Sequence, residues 1–318
     1  FDDSAAGAVT VNLSTTLLPS SVTVSNNSKS YGFSGSGNLS GATTLTKDGS
    51  GTLFVTNAGV NDFTGLITIN SGTVRVGDGA SGGNLGTGAV INNGSLVLNR
   101  GDDFTFANAL SGAGSLTKLG AGALSLPTAN TFTGPLTVNA GTLRPAIGSA
   151  LGTADGATVL LNGATLDVNA QNLGAEPITV GGAGTAGEGA IINSGAQQLN
   201  ALRYVTLAGD TTFGGSGRWD IRGAPSTADP ANAALSTGGG SFKLTKVGAN
   251  QVSLVGVAVD PALGNVEVQQ GIFSIQHATT GLGNPASTLT VAAGASLEFW
   301  ALTNQLNKVI SLSSDGGT

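Results

Sequence analysis

Leu45-Thr46-Lys47-Asp48-Gly49-Ser50-Gly51-Thr52-Leu53-Phe54-Val55 leads into Asn61-Asp62-Phe63-Thr64-Gly65, then Leu66-Ile67-Thr68-Ile69, Gly72 and Thr73-Val74-Arg75-Val76. The same order returns twice. Lys118 follows Leu116-Thr117 and Lys246 follows Leu244-Thr245, and each lysine has a glycine two positions on, at 49, 120 and 248. Each copy then enters an alternating run, at 52–55, 123–126 and 251–254. The turn glycines Gly65, Gly134 and Gly264 are each followed at the same spacing by another, Gly72, Gly141 and Gly271. Every copy closes on a Leu-Gly pair: Leu85-Gly86, Leu151-Gly152 and Leu282-Gly283. Fixed glycine spacing with variable residues between is the mark of a repeat architecture.

The runs between turns are short and alternate with period two, the pattern of brief strands punctuated by Gly and Asn. The interval from Lys47 to Lys118 is little more than half that from Lys118 to Lys246, so the spacer is elastic. A propeller needs blades of near-constant length, whereas a solenoid accepts whole extra coils without disturbing their neighbours. The fold predicted is therefore an all-β solenoid. Inward Leu, Val, Ile and Phe form its core, outward Thr, Ser and Asn meet solvent, and Gly and Asn take the corners. At roughly 20–24 residues per coil and about 4.8 Å between strands, the whole chain would make a rod of roughly 60–75 Å.

Residues 1–318 read as one continuous solenoid segment with repeats near 45–88, 116–156 and 244–287. One stretch breaks the pattern. Asp229-Pro230-Ala231-Asn232-Ala233-Ala234-Leu235 has an N-cap, a first-turn Pro and a short helical run, which makes 223–240 a loop insertion.

Composition narrows the function. Only 9% of the chain is charged, against roughly 25% in ordinary domains. Disorder needs few apolar residues and high net charge, but 40% of this chain is hydrophobic and its mean hydropathy is +0.21. The net charge is −6, with no cluster of Lys or Arg, which excludes a phosphate-binding footprint for nucleic acid. No apolar run reaches the length of a membrane-spanning helix. The absence of Cys removes disulfides and thiolate metal sites. Phe1-Asp2-Asp3-Ser4 is not a signal peptide, and the chain reads as a processed or excised piece of something longer.

No catalytic, cofactor or metal site is expected. His277 is the sole histidine and has no second His or Cys to pair with. Asp102-Asp103 is the one adjacent internal acidic pair, and neighbours on a strand point to opposite faces. Asp167, Glu176, Glu188 and Asp210 are scattered singly. The densest candidate is Arg218-Trp219-Asp220-Ile221-Arg222: an indole with flanking charges can stack on a sugar, or it can cover apolar surface with Arg–Asp pairing at its edge. Arg218, Trp219, Asp220 and Arg222 are therefore the residues to examine as a glycan or interaction patch.

The three copies resemble the autotransporter-associated β-strand repeat, whose pattern runs L-x-K-x-G-x-G-x-L-x-L, then N-x-Y/F-T-G, a strand and G-T-L. Residues 45–76 follow it nearly throughout and 116–144 follow it well. Residues 244–275 depart from it, with Asn250 at a usual Gly and no Phe-Thr-Gly. The resemblance implies a passenger-type right-handed parallel β-helix, exported to the extracellular space or the bacterial cell surface, and it implies no chemistry. The function expected is a stalk, coat, adhesin or fibre, not an enzyme. Its expected partners are further coils, continued covalently or stacked end to end, with extracellular glycans as a second possibility. The alternative is a polysaccharide-binding or polysaccharide-cleaving module on the same scaffold.

Overall fold

A computed structural model describes residues 1–7, 9–161, 163–223 and 230–313. The chain is all-β, with parallel strands stacked as a β-solenoid of about 13 turns. The regular exceptions among the described residues are two short turns of 3-10 helix, Thr185–Gly187 and Pro230–Asn232. Two compact units are distinguished: Phe1–Gly141 with Ser149–Gly156, and Thr142–Gly148 with Ala157–Thr318.

In the first unit, one stack carries Ser21–Ser25, Thr44–Asp48, Ile67–Ile69, Val90–Asn92 and Leu110–Ser111. Its register sets Val22, Leu45, Ile67, Val90 and Leu110 in one column, so each strand meets its partner one coil later. A second stack aligns Tyr31, Leu53, Val74, Leu96, Leu116 and Leu136. Both columns are buried. Thr23, Thr46 and Thr68 pair on the other face and meet solvent. Period-two alternation has thus become one dry side and one wet side. Each inward Leu, Val or Ile contributes about 1.5–3 kcal/mol on burial.

The second unit repeats the arrangement. Leu143, Leu166, Ile191 and Phe213 share one column, and Leu244, Val266 and Leu289 share another. A further sheet aligns Trp219 with Val252, Phe273 and Leu297. Within the 223–240 segment, residues 224–229 lie outside the described residues. Pro230–Asn232 is a single 3-10 turn, and Ala234–Ser236 pairs in register with 204–206 and 258–259.

The motif copies do not sit on the same face. Lys47 shares a column with Val24 and Ile69, whereas Lys118 pairs with Leu98, in the column of Val55 and Val76. Where copy one places its second strand, copy two places its lysine strand. The interval between the two lysines is not a whole number of coils, so the motif advances by one face.

Candidate functional site

The repeated residues converge inside the coils. Lys47, Lys118 and Lys246 are all buried, at 0%, 3% and 1% exposure. Each is two positions beyond an inward Leu and so points to the same side of its strand. Among apolar neighbours a lone ammonium is costly unless fully hydrogen-bonded. Here the partners are main-chain carbonyls. Lys47 Nζ donates to Asp48 O at 2.6 Å and Gly49 O at 2.8 Å. Lys118 Nζ donates to Gly120 O at 2.5 Å and, on the next coil, to Ala140 O at 2.8 Å. Lys246 Nζ donates to Val247 O and Gly248 O at 2.7 and 2.8 Å and to Gln270 O on the next coil at 3.2 Å. Burial pulls all three ammonium groups down, Lys118 and Lys246 to about 8. None of these three lysines forms an ion pair among the described residues.

The glycines fit over these turns. Gly72 has φ +68°, a region that L side chains avoid, and a Cβ there would run into the carbonyls of Gly49 and Gly51 and approach Lys47 Nζ to 2.7 Å. Gly141 and Gly271 stand likewise over 121–122 and 248–250.

The Asn-x-Phe element is equally internal. Asn61 accepts from Leu39 N at 2.8 Å on the coil before and donates from Nδ2 to Asn84 O at 2.8 Å on the coil after. Asn130 does the same between Leu110 N, at 2.8 Å, and Ala150 O, at 2.7 Å. Each amide replaces backbone bonds that the corner interrupts. Phe63 and Phe132 are buried, and the closing glycines lie on their rings: a Cβ on Gly86 would stand 2.7 Å from Phe63 Cδ2, and one on Gly152 would stand 3.0 Å from Phe132 Cδ2. In the third copy Leu263 holds the corresponding place beneath Gly283.

The Arg-Trp-Asp cluster is assembled around its acid. Asp220 is fully buried; Arg218 donates to it from Nε at 3.0 Å and Nη2 at 3.1 Å, and Arg222 Nη2 reaches it at 2.6 Å. Trp219 is fully buried as well. Its Nε1 donates to Gly214 O at 2.9 Å and its ring meets Phe213 edge-on, with centroids 5.1 Å apart. The indole therefore offers no face to a ligand, and of the cluster's charged groups only the two arginine side chains, 26% and 18% exposed, reach the surface.

The remaining candidates are apart from one another. Asp102 pairs with Arg100 at 2.7 Å, while Asp103 accepts from Ala123 N at 2.8 Å. Asp167 is buried beneath Arg144 Nε at 2.9 Å and accepts from Ser194 Oγ at 2.6 Å. His277 is half-buried at φ +55°, its backbone N donating to Trp300 O. Glu176 is buried with Thr158 Oγ1 at 2.7 Å, and burial pushes its carboxyl up to about 7. No group of three or more potential metal ligands occurs among the described residues. A cleft of about 600 Å³ in the second unit, between Leu161, Asp210 and Lys243, contains none of the groups the sequence singled out as candidate site residues except Asp210. No helix among the described residues is long and apolar enough to cross a membrane.

Parallel coils tied together by the residues that repeat define a repeat-built β-solenoid. Residues 45–76 and 116–144 match the passenger-associated-transport-repeat family, and the third copy lies outside the matched segments. A curated relative, the adhesin BmaC autotransporter of Brucella suis biovar 1 (strain 1330), is 36% identical over 183 residues. That alignment covers 56% of this chain, and the chain spans 5% of the relative's length. No solved structure matches. The chain thus carries passenger-associated transport repeats in two segments and is similar over part of its length to an autotransporter adhesin, which points to the bacterial cell surface or the extracellular space.

Proposed function

We propose that this chain is a scaffold stretch of a cell-surface passenger, acting as an adhesin or as the stalk that displays one, without catalysis. One observation carries the reading. Lys47, Lys118, Asn61, Asn130, Phe63 and Phe132, the residues that define the repeat, are all buried between coils, so what recurs in sequence encodes stacking. The adhesin relative and the passenger repeats support the adhesive, non-enzymatic role.

The partner we propose is more of the same fold, continued covalently or stacked end to end. The repeat architecture, in which each coil buries its faces only against its neighbours, supports that reading.

The test is antibody labelling of intact cells together with adherence of a strain carrying an in-frame deletion of this region. Labelled parent cells and reduced adherence of the deletion strain are expected. Unlabelled intact cells, or adherence equal to the parent, would contradict the proposal.

A further inference from the structure

Gly72 and Gly141 are each followed by Thr, an inward aliphatic residue and Arg: Thr73-Val74-Arg75 in the first copy and Thr142-Leu143-Arg144 in the second. Both arginines therefore stand on the outward side of their strands. The next coil gives them different neighbours. Continuing the register of Leu143 with Leu166 brings Arg144 to Asp167, and its Nε donates to that carboxylate at 2.9 Å. Arg75 is in register with Val97, which carries no acceptor.

Arg100, Arg218 and Arg222 also donate to carboxylates, Arg100 and Arg218 as two-pronged pairs with Asp102 and Asp220. Arg75 makes no ion pair among the described residues, and its Nε is covered and without an acceptor. Its Cζ lies 5.9 Å from the centroid of the Phe54 ring on the coil before, and Val97 flanks it on the coil after. With Nε covered, the edge left open is the pair of terminal nitrogens, two parallel donors at the spacing a carboxylate accepts.

The surroundings suit a sugar. Arg75 is the one charged side chain on the outward side of Tyr31–Ser34, Thr52–Val55, Thr73–Val76, Ser95–Leu98 and Ser115–Lys118. Thr52, Thr73 and Ser95 form a half-buried register column beside it, and the hydroxyls of Thr52 and Thr73 take no hydrogen bond among the described residues. The strands are paired on both edges by neighbouring coils, so an extended peptide finds no free backbone to join. One charge beside free hydroxyls matches a ring that carries one carboxylate and several hydroxyls.

We propose that Arg75 binds the carboxylate of a uronate-containing extracellular saccharide, with Thr52 and Thr73 bonding the sugar hydroxyls and Phe54 and Val97 holding the guanidinium in place. The site rests on the adhesin reading and gives it a ligand class.

The experiment is NMR titration of the purified protein with trigalacturonate, its methyl ester and triglutamate. Saturable binding of trigalacturonate is expected, weakened about 10-fold or more by esterification and by Arg75→Gln, since each removes a hydrogen-bonded charge. Val97→Asp supplies in cis the carboxylate that Arg144 has and should abolish binding in protein that stays folded. No binding of trigalacturonate, equal affinity for the ester, or affinity unchanged in Arg75→Gln would overturn the site. Tighter binding of triglutamate would overturn the saccharide in favour of an acidic peptide. If Arg75→Gln does not fold, Val97→Asp decides, and unchanged binding there overturns the proposal. Reduced adherence of the deletion strain without trigalacturonate binding would leave the adhesin reading standing and remove only this site.

Discussion

Lys118 on one coil is tied to Ala140 on the next by a 2.8 Å hydrogen bond from Nζ to the carbonyl oxygen. The same ammonium closes its own turn at Gly120 O, 2.5 Å away. A cation held only by main-chain carbonyls makes one coil's corner complete only when the following coil is docked. Lys118→Met keeps the stem and orphans both carbonyls, at a cost of about 1–3 kcal/mol. Urea unfolding measures it, and a midpoint at or above the parent's would be the wrong result.

Alkaline pH should stabilise the protein. Lys118, Lys246 and Lys308 titrate near 8 when folded, below the ordinary lysine value of 10.5. Between those values the unfolded chain holds protons that the folded chain has released, so raising pH favours the folded state. The urea midpoint should be higher at pH 10 than at pH 7.5. A fall over that interval would contradict the burial of these groups as ammonium ions.

Glu176 works in the opposite sense over a lower window. Its folded carboxyl titrates near 7, above its ordinary 4.5, so between those values the folded chain holds the extra proton and stability declines as pH rises. Glu176→Gln should flatten that decline and be more stable than the parent at pH 8, with little difference at pH 4.5. Parallel pH profiles for parent and variant would show that Glu176 is not the titrating group.

The glycine contacts predict a graded response to alanine. Gly86→Ala drives a methyl into the Phe63 ring and carbonyl, and Gly72→Ala adds an unfavourable φ to a backbone collision. Each should cost about 2–4 kcal/mol. Gly32 has nothing within 4 Å of the added carbon and no positive φ, so Gly32→Ala should stay within about 0.5 kcal/mol of the parent. Three comparable melting curves would refute the close packing of coil on coil.

Much of this architecture is legible in the amino-acid order. Constant glycine spacing and period-two alternation are local signals, and they suffice for the strands, the corners and the solenoid. The inward lysines are legible too but easily overlooked. Lys47 and Lys118 share parity with Leu45 and Leu116, so an inward Leu requires an inward Lys; the rarity of buried lysine argues against reading it that way. Trp219 likewise shares parity with the buried Ile221. Coil length is what local signals do not carry. Lys47 and Lys118 fall on different faces because the coils shorten through the first unit: the step from Val22 to Leu45 is longer than the step from Leu96 to Leu116.

The most direct test is timed amine acetylation of the folded protein, read residue by residue by mass spectrometry. Lys243, whose side chain is 39% exposed beside Glu267, should react freely. Lys47, Lys118 and Lys246 should react slower by about 100-fold or more, because they become accessible only when coils separate. Acetylation of Lys118 at the rate of Lys243, in protein that remains folded, would contradict the claim that the repeat's lysines are sealed inside the coil corners.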